Sequence, residues 1–132
     1  VCGHELRIFK TKWFDRFASK NNIDDSVLIE AIERAKNGLI DADLGSGVIK
    51  QRVARAGQGK SKGHRAIILL RKGDRAFFVY GFSKNDQDNL RQDEEDEFRR
   101  MARHYLSLSE SYLCELLAIG HFMEVKNNGQ EI

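Results

Sequence analysis

Proline is absent from this chain, and cysteine occurs only at Cys2 and Cys114. Two cysteines are too few for a disulfide framework or a cysteine zinc cluster, so they read as free thiols in a reducing cytosol. No run approaches the ~18 apolar residues of a membrane span. No charged-then-apolar leader opens the chain, so neither a membrane partner nor export is expected, and the expected location is cytoplasmic. Between Val48 and Arg75 acids are nearly missing too: Asp74 stands alone. That stretch therefore cannot supply a carboxylate pair for two-metal hydrolysis. It holds no activated serine or cysteine constellation either. His4, His104 and His121 lie far apart in sequence and make no metal motif. Asp41, Asp43 and Gly45 begin like a calcium loop but lack its later ligands. No metal and no cofactor is expected.

What the same stretch does hold is positive charge, at Lys50, Arg52, Arg55, Lys60, Lys62, Arg65, Arg71, Lys72 and Arg75. Acids gather afterwards, at Asp86, Asp88, Asp93, Glu94, Glu95, Asp96 and Glu97. The formal net charge of +2 hides this asymmetry, and a basic segment of this density points to a polyanionic partner. With 132 residues, 41% of them hydrophobic, the chain suits one domain with one core.

Leu6–Lys10 alternates apolar and basic residues, as a half-buried strand does, and is expected at the edge of a sheet. Thr11 can cap a helix whose apolar residues are Trp13, Phe14, Phe17 and Ala18, the three aromatics read as core. Asn21 and Asn22 break it. A second helix starts at Asp24 or Asp25, carries Val27, Leu28, Ala31, Ile32 and Ala35 as its stripe, and stops at Gly38. Leu39–Gly47 reads as a loop. Val48–Ala54 reads as a strand with Lys50 and Arg52 on one face and Ile49, Gln51 and Val53 on the other. Arg55–Gly63 is a basic, glycine-rich loop. Its glycines lie between two strands and open no helix, which excludes a nucleotide phosphate loop. His64–Arg71 and Arg75–Phe82 form a hairpin around a tight turn and join Val48–Ala54 in one antiparallel sheet. Phe98, Met101, Ala102, Tyr105 and Leu106 stripe a further helix. Ser107 and Glu110 can form a capping box for a last one, with Tyr112, Leu113, Leu116, Leu117 and Ile119 apolar and Gly120 as its stop. That apolar face is expected to pack back on the sheet.

Lys50, Arg52, Arg65 and Lys84 are the cations expected to converge, with Arg55, Lys60 and Lys62 as further RNA contacts. His64 and Tyr80 are candidates for proton transfer, His64 as an exposed side chain, and Tyr80 also for RNA contact. Such a set can cleave RNA without metal, because the ribose 2′-hydroxyl attacks its own phosphate and cations stabilise the added charge. Each residue has a structural reading as well. Arg65 could pair with Asp43 or Asp86, Lys50 and Arg52 could be a solvated strand face, His64 a bystander, and Tyr80 core.

The blocks Lys10-Thr11-Lys12-Trp13-Phe14, Gly38–Gly45, Val48–Arg52, Gly63-His64-Arg65 and Phe77–Asn85 resemble the RelE/ParE superfamily of bacterial type II toxins. They are most similar to its RelE-like branch and to HigB-type toxins. The resemblance covers about residues 6–104, with about 105–125 as a helical extension of the same domain. It implies an α+β fold of order β-α-α-β-β-β-α, an mRNA endoribonuclease acting on the ribosome, and a cognate antitoxin that silences it. The face so rich in cations, read as free of acids, invites an acidic or helical antitoxin segment. By motif, Arg65 matches the family's Gly-x-Arg arginine, Lys50 and Arg52 its basic strand, and Lys84 the cation after the last strand. His64 stands where a tyrosine is usual, and the tyrosine that some members carry after the last strand is missing. Two other readings stay open, a ParE-like gyrase inhibitor and an RNA- or antitoxin-binding module without catalysis.

Overall fold

The computed structural model describes residues 6–53, 64–71, 73–83 and 90–125. Its strands are β1 (Arg7–Thr11), β2 (Ala42–Gly45), β3 (Val48–Val53), β4 (His64–Arg71), β5 (Arg75–Ser83) and β6 (Phe122–Val125). The helices are α1 (Lys12–Lys20), α2 (Asp25–Lys36), α3 (Gln92–Tyr105) and α4 (Glu110–Ala118). All the strands join one six-stranded sheet in the order β2-β3-β4-β5-β1-β6. Only the β1–β5 pairing is parallel. The fold is the α+β type expected.

Local chemistry sets the element ends. The Thr11 hydroxyl accepts from the Phe14 amide at 3.2 Å and starts α1. Gly38 and Gly120, both at positive φ, close α2 and α4 in the same way. Leu39 N–H donates to Arg34 O and Gly38 N–H to Ala35 O. His121 N–H donates to Leu116 O and Gly120 N–H to Leu117 O. Gly73 at φ 74 turns β4 into β5.

Several expectations are corrected. Leu39–Gly47 contains β2, whose few polar residues carry no strand pattern and form one only by pairing with β3. β1 is not an edge strand, because the short β6 pairs along its other side. The N-cap of α4 is Ser109, which accepts from Tyr112 N–H, whereas the Ser107 hydroxyl donates to Arg103 O. Ala54 lies outside the described residues.

The sheet separates two apolar clusters. On one face α1 and α2 bury Phe14, Leu28 and Ile32 against Ile49, Ile68 and Phe78. On the other, Phe9, Ile67, Leu69 and Phe77 pack under α3 and α4 with Leu113 and Phe122, so α4 does fold back on its own sheet. Each such side chain contributes about 1.5–3 kcal/mol by leaving water. Arg71 Nη1 donates to Leu106 O at 2.6 Å, and the buried Arg75 Nη1 donates to Leu108 O at 2.9 Å. Two arginines of the β4–β5 hairpin thus hold the corner between α3 and α4. Among the described residues no helix is long and apolar enough to cross a membrane.

Candidate phosphate-binding site

Strand register decides which side chains share a face. Lys50 stands opposite Ile67, which stands opposite Tyr80, and Arg52 stands opposite Arg65, which stands opposite Phe82. Ile67 and Phe82 belong to the cluster under α3, so Lys50, Arg52 and Arg65 are on that face. Gln51 points the other way and donates to Ala31 O and Leu39 O, both at 3.0 Å. The period-two reading of β3 therefore holds. Arg52 and Arg65 are direct cross-strand neighbours, with Cα atoms about 5 Å apart for such a pair. Like charges placed so are destabilising unless an anion lies between or beside them.

One anion is built in. Asp41 Oδ2 accepts from Arg65 Nε at 3.1 Å and lies 3.6 Å from Lys50 Nζ. The face is therefore not free of acids, and among the described residues the partner of Arg65 is Asp41 rather than Asp43, while Asp86 lies outside the described residues. Asp43 instead accepts from the Gly45 amide. Among the described residues, the Arg65 guanidinium makes no hydrogen bond other than that of Nε, and the Arg52 side chain makes none. The Arg65 side chain as a whole is only 12% exposed.

His64 is corrected in two respects. It is 4% exposed, and it meets the edge of the Phe17 ring at 5.5 Å between centroids, on the face of α1 and α2. Adjacent residues of a strand point to opposite faces, so His64 and Arg65 lie on opposite sides of β4. Lys84, Arg55, Lys60 and Lys62 lie outside the described residues.

Tyr80 lies near the cations for a specific reason. The β4–β5 register slips between Ile67 and Ile68, so Val79 is an extra residue, and both Val79 and Tyr80 pack with the cluster under α3. The Tyr80 ring stacks on Trp13 at 4.8 Å and meets Phe98 at 5.6 Å. Burial first, and Glu94 second, hold its phenol above the ordinary value. Trp13 was expected in the core but is 43% exposed. It lies past the end of the β1–β5 pairing, which stops at Lys10 and Phe78. Trp13, Tyr80, Phe98, Met101, Tyr105 and His121 line an open, mostly apolar groove of about 400 Å³. Among the described residues no three His, Cys, Asp or Glu side chains gather as a metal site requires.

The family model for the RelE toxin of RelE/RelB toxin–antitoxin systems matches residues 6–125. The chain belongs to the RelE toxin family. No curated protein matches it. The matched span takes in α4 and β6 as well as the basic strands. This RelE-family protein is thus the toxin of a toxin–antitoxin system, with a cognate antitoxin as its partner. The strand alternation had already put Lys50 and Arg52 on one face, but sequence reasoning missed Asp41 as the counter-ion of Lys50 and Arg65. It also missed Trp13 as a surface residue.

Proposed function

We propose that this toxin is a metal-independent endoribonuclease that cuts translated mRNA on the ribosome, in the cytoplasm. The observation that carries the reading is the cross-strand pair Arg52–Arg65 with Lys50 beside it, on one face and with guanidinium nitrogens that make no hydrogen bond among the described residues. In the reaction the 2′-oxygen loses its proton to a base and bonds to the adjacent phosphorus. The P–O5′ bond breaks and the leaving oxygen gains a proton. The products are a 2′,3′-cyclic phosphate and a 5′-hydroxyl. Arg65 meets the charge that builds on the phosphoryl oxygens, since a guanidinium presents parallel donors to them. Lys50 and Arg52 bind neighbouring phosphates, and Tyr80 contacts a base. Lys84, Arg55, Lys60 and Lys62, which lie outside the described residues, are the further cations proposed for RNA. His64, on the opposite face, takes no part in the scheme.

Translating ribosomes incubated with purified toxin, followed by mapping of mRNA ends, test the reading. Arg65→Ala is expected to keep the fold and lower cleavage by about 10²–10³. Lys50→Ala and Lys84→Ala should lose affinity in a way that added salt mimics. Cleavage should persist in excess chelator. RNA binding without cleavage would reduce the protein to a binding module, and full activity in Arg65→Ala would place the chemistry elsewhere.

A further inference from the structure

We infer that Asp41 is a positioning residue, which holds Arg65 by its Nε edge so that the two terminal nitrogens face the scissile phosphate. This rests on the ribonuclease reading above. The strand fixes the Arg65 backbone but not its long side chain, which turns about several bonds. A transition-state donor has to be fixed before the substrate arrives, because a misplacement of about 1 Å costs roughly 10²-fold in rate.

Asp41 is suited to that task. Its own amide donates to Lys50 O at 3.1 Å, just before the residue Ala42 that pairs with Lys50. The carboxylate is therefore tied to the strand that carries Lys50, and from there it reaches Arg65 on the next strand. It uses Nε, the side edge of the guanidinium, and leaves the fork that matches two phosphate oxygens. Asp41 also offsets part of the repulsion between Arg52 and Arg65 while no RNA is bound.

The test compares Asp41→Ala with the isosteric Asp41→Asn. Asparagine keeps an oxygen for Nε–H and removes the charge. Asp41→Ala is expected to lower kcat about 10²-fold while KM stays level or falls, because a negative charge near the substrate phosphate has gone. Asp41→Asn should regain activity to within about tenfold of the wild type. A purely structural role would not produce this split between kcat and KM, nor the rescue. Two results overturn the inference. One is equal activity in all three proteins. The other is an Asn variant as inactive as the Ala variant, which would make Asp41 a proton acceptor. A readout independent of cleavage is the NMR signal of Arg65 Nε–H. It should be protected from exchange in the wild type and in Asp41→Asn, and lost in Asp41→Ala. A protected signal in a protein that cuts no RNA would overturn the ribonuclease reading alone. A missing signal in a wild type that does cut would overturn the role of Asp41 alone.

Discussion

Replacing Gly81 by alanine should destabilise the toxin through one ring. Gly81 lies on β5 opposite Ala66, and a Cβ there would fall 2.3, 2.7 and 2.8 Å from the Cε2, Cδ2 and Cζ atoms of Phe17. Comfortable carbon–carbon contact begins near ~3.5 Å, so the ring must retreat by about 1 Å. It has little room to do so. Phe17 stacks on Trp13 at 5.6 Å, tilts against Phe14 at 5.6 Å and meets His64 at 5.5 Å. Overpacking of this kind costs about 1–3 kcal/mol. The stiffer unfolded chain of alanine returns roughly 0.5–1 kcal/mol. The net is about 1–2 kcal/mol, or a fall in Tm of roughly 4–8 °C for a domain of this size. Circular dichroism gives the Tm. Fluorescence reports the local event, since Trp13 is the sole tryptophan and should change its emission as Phe17 pushes it. Phe17→Leu in the same chain should make the two losses less than additive, by about 1 kcal/mol. An unchanged or higher Tm in Gly81→Ala with unaltered emission would refute the reasoning.

Arg75→Ala should cost about 3 kcal/mol in denaturant unfolding. It removes the donors to Leu108 O and Tyr105 O and the partner of Asp74 and Glu110, and a loss below 1 kcal/mol would deny that Arg75 holds the α3–α4 corner. Tyr80 should titrate above the ordinary phenol value of 10.0. Because the fold favours the neutral phenol, its contribution is whole below that pH and is lost as pH rises through the raised value. Wild type should then lose more stability than Tyr80→Phe between neutral pH and about pH 11, and parallel losses would contradict the assignment.

The sequence was readable where one residue's neighbours settle its conformation. The apolar runs of β4 and β5 need no partner to be recognised as strands. Gly38 and Gly120 stop their helices wherever those helices pack. Other features depend on distant parts of the chain. Nothing in Ala42–Gly45 marks a strand until β3 lies beside it, and β5, the parallel partner of β1, is reached only after α1, α2 and three further strands. Asp41 reaches Arg65 only because the turn at Gly45, Ser46 and Gly47 brings β2 back along β3. The side on which His64 lies was within reach, since the alternation that correctly divided Lys50 from Gln51 also divides His64 from Arg65. Trp13 follows the helical stripe of α1, but the stripe could not show that β1 ends beneath it.

The pairing of β1 with β6 also bears on how the protein is made. Arg7 Nε donates to Glu124 Oε2 across 117 residues of chain. β1 thus gains its outer neighbour only when β6 has been synthesised. Contacts of such long separation form slowly and late. Until Phe122–Val125 emerge, Phe9 lacks its contact with Phe122, and one side of β1 is an unpaired edge that other chains can join. A nascent toxin is therefore most prone to aggregate in the interval before Phe122–Val125 have emerged. Joining residues 6 and 125 by a short linker, and opening the chain elsewhere, would make this late contact an early one.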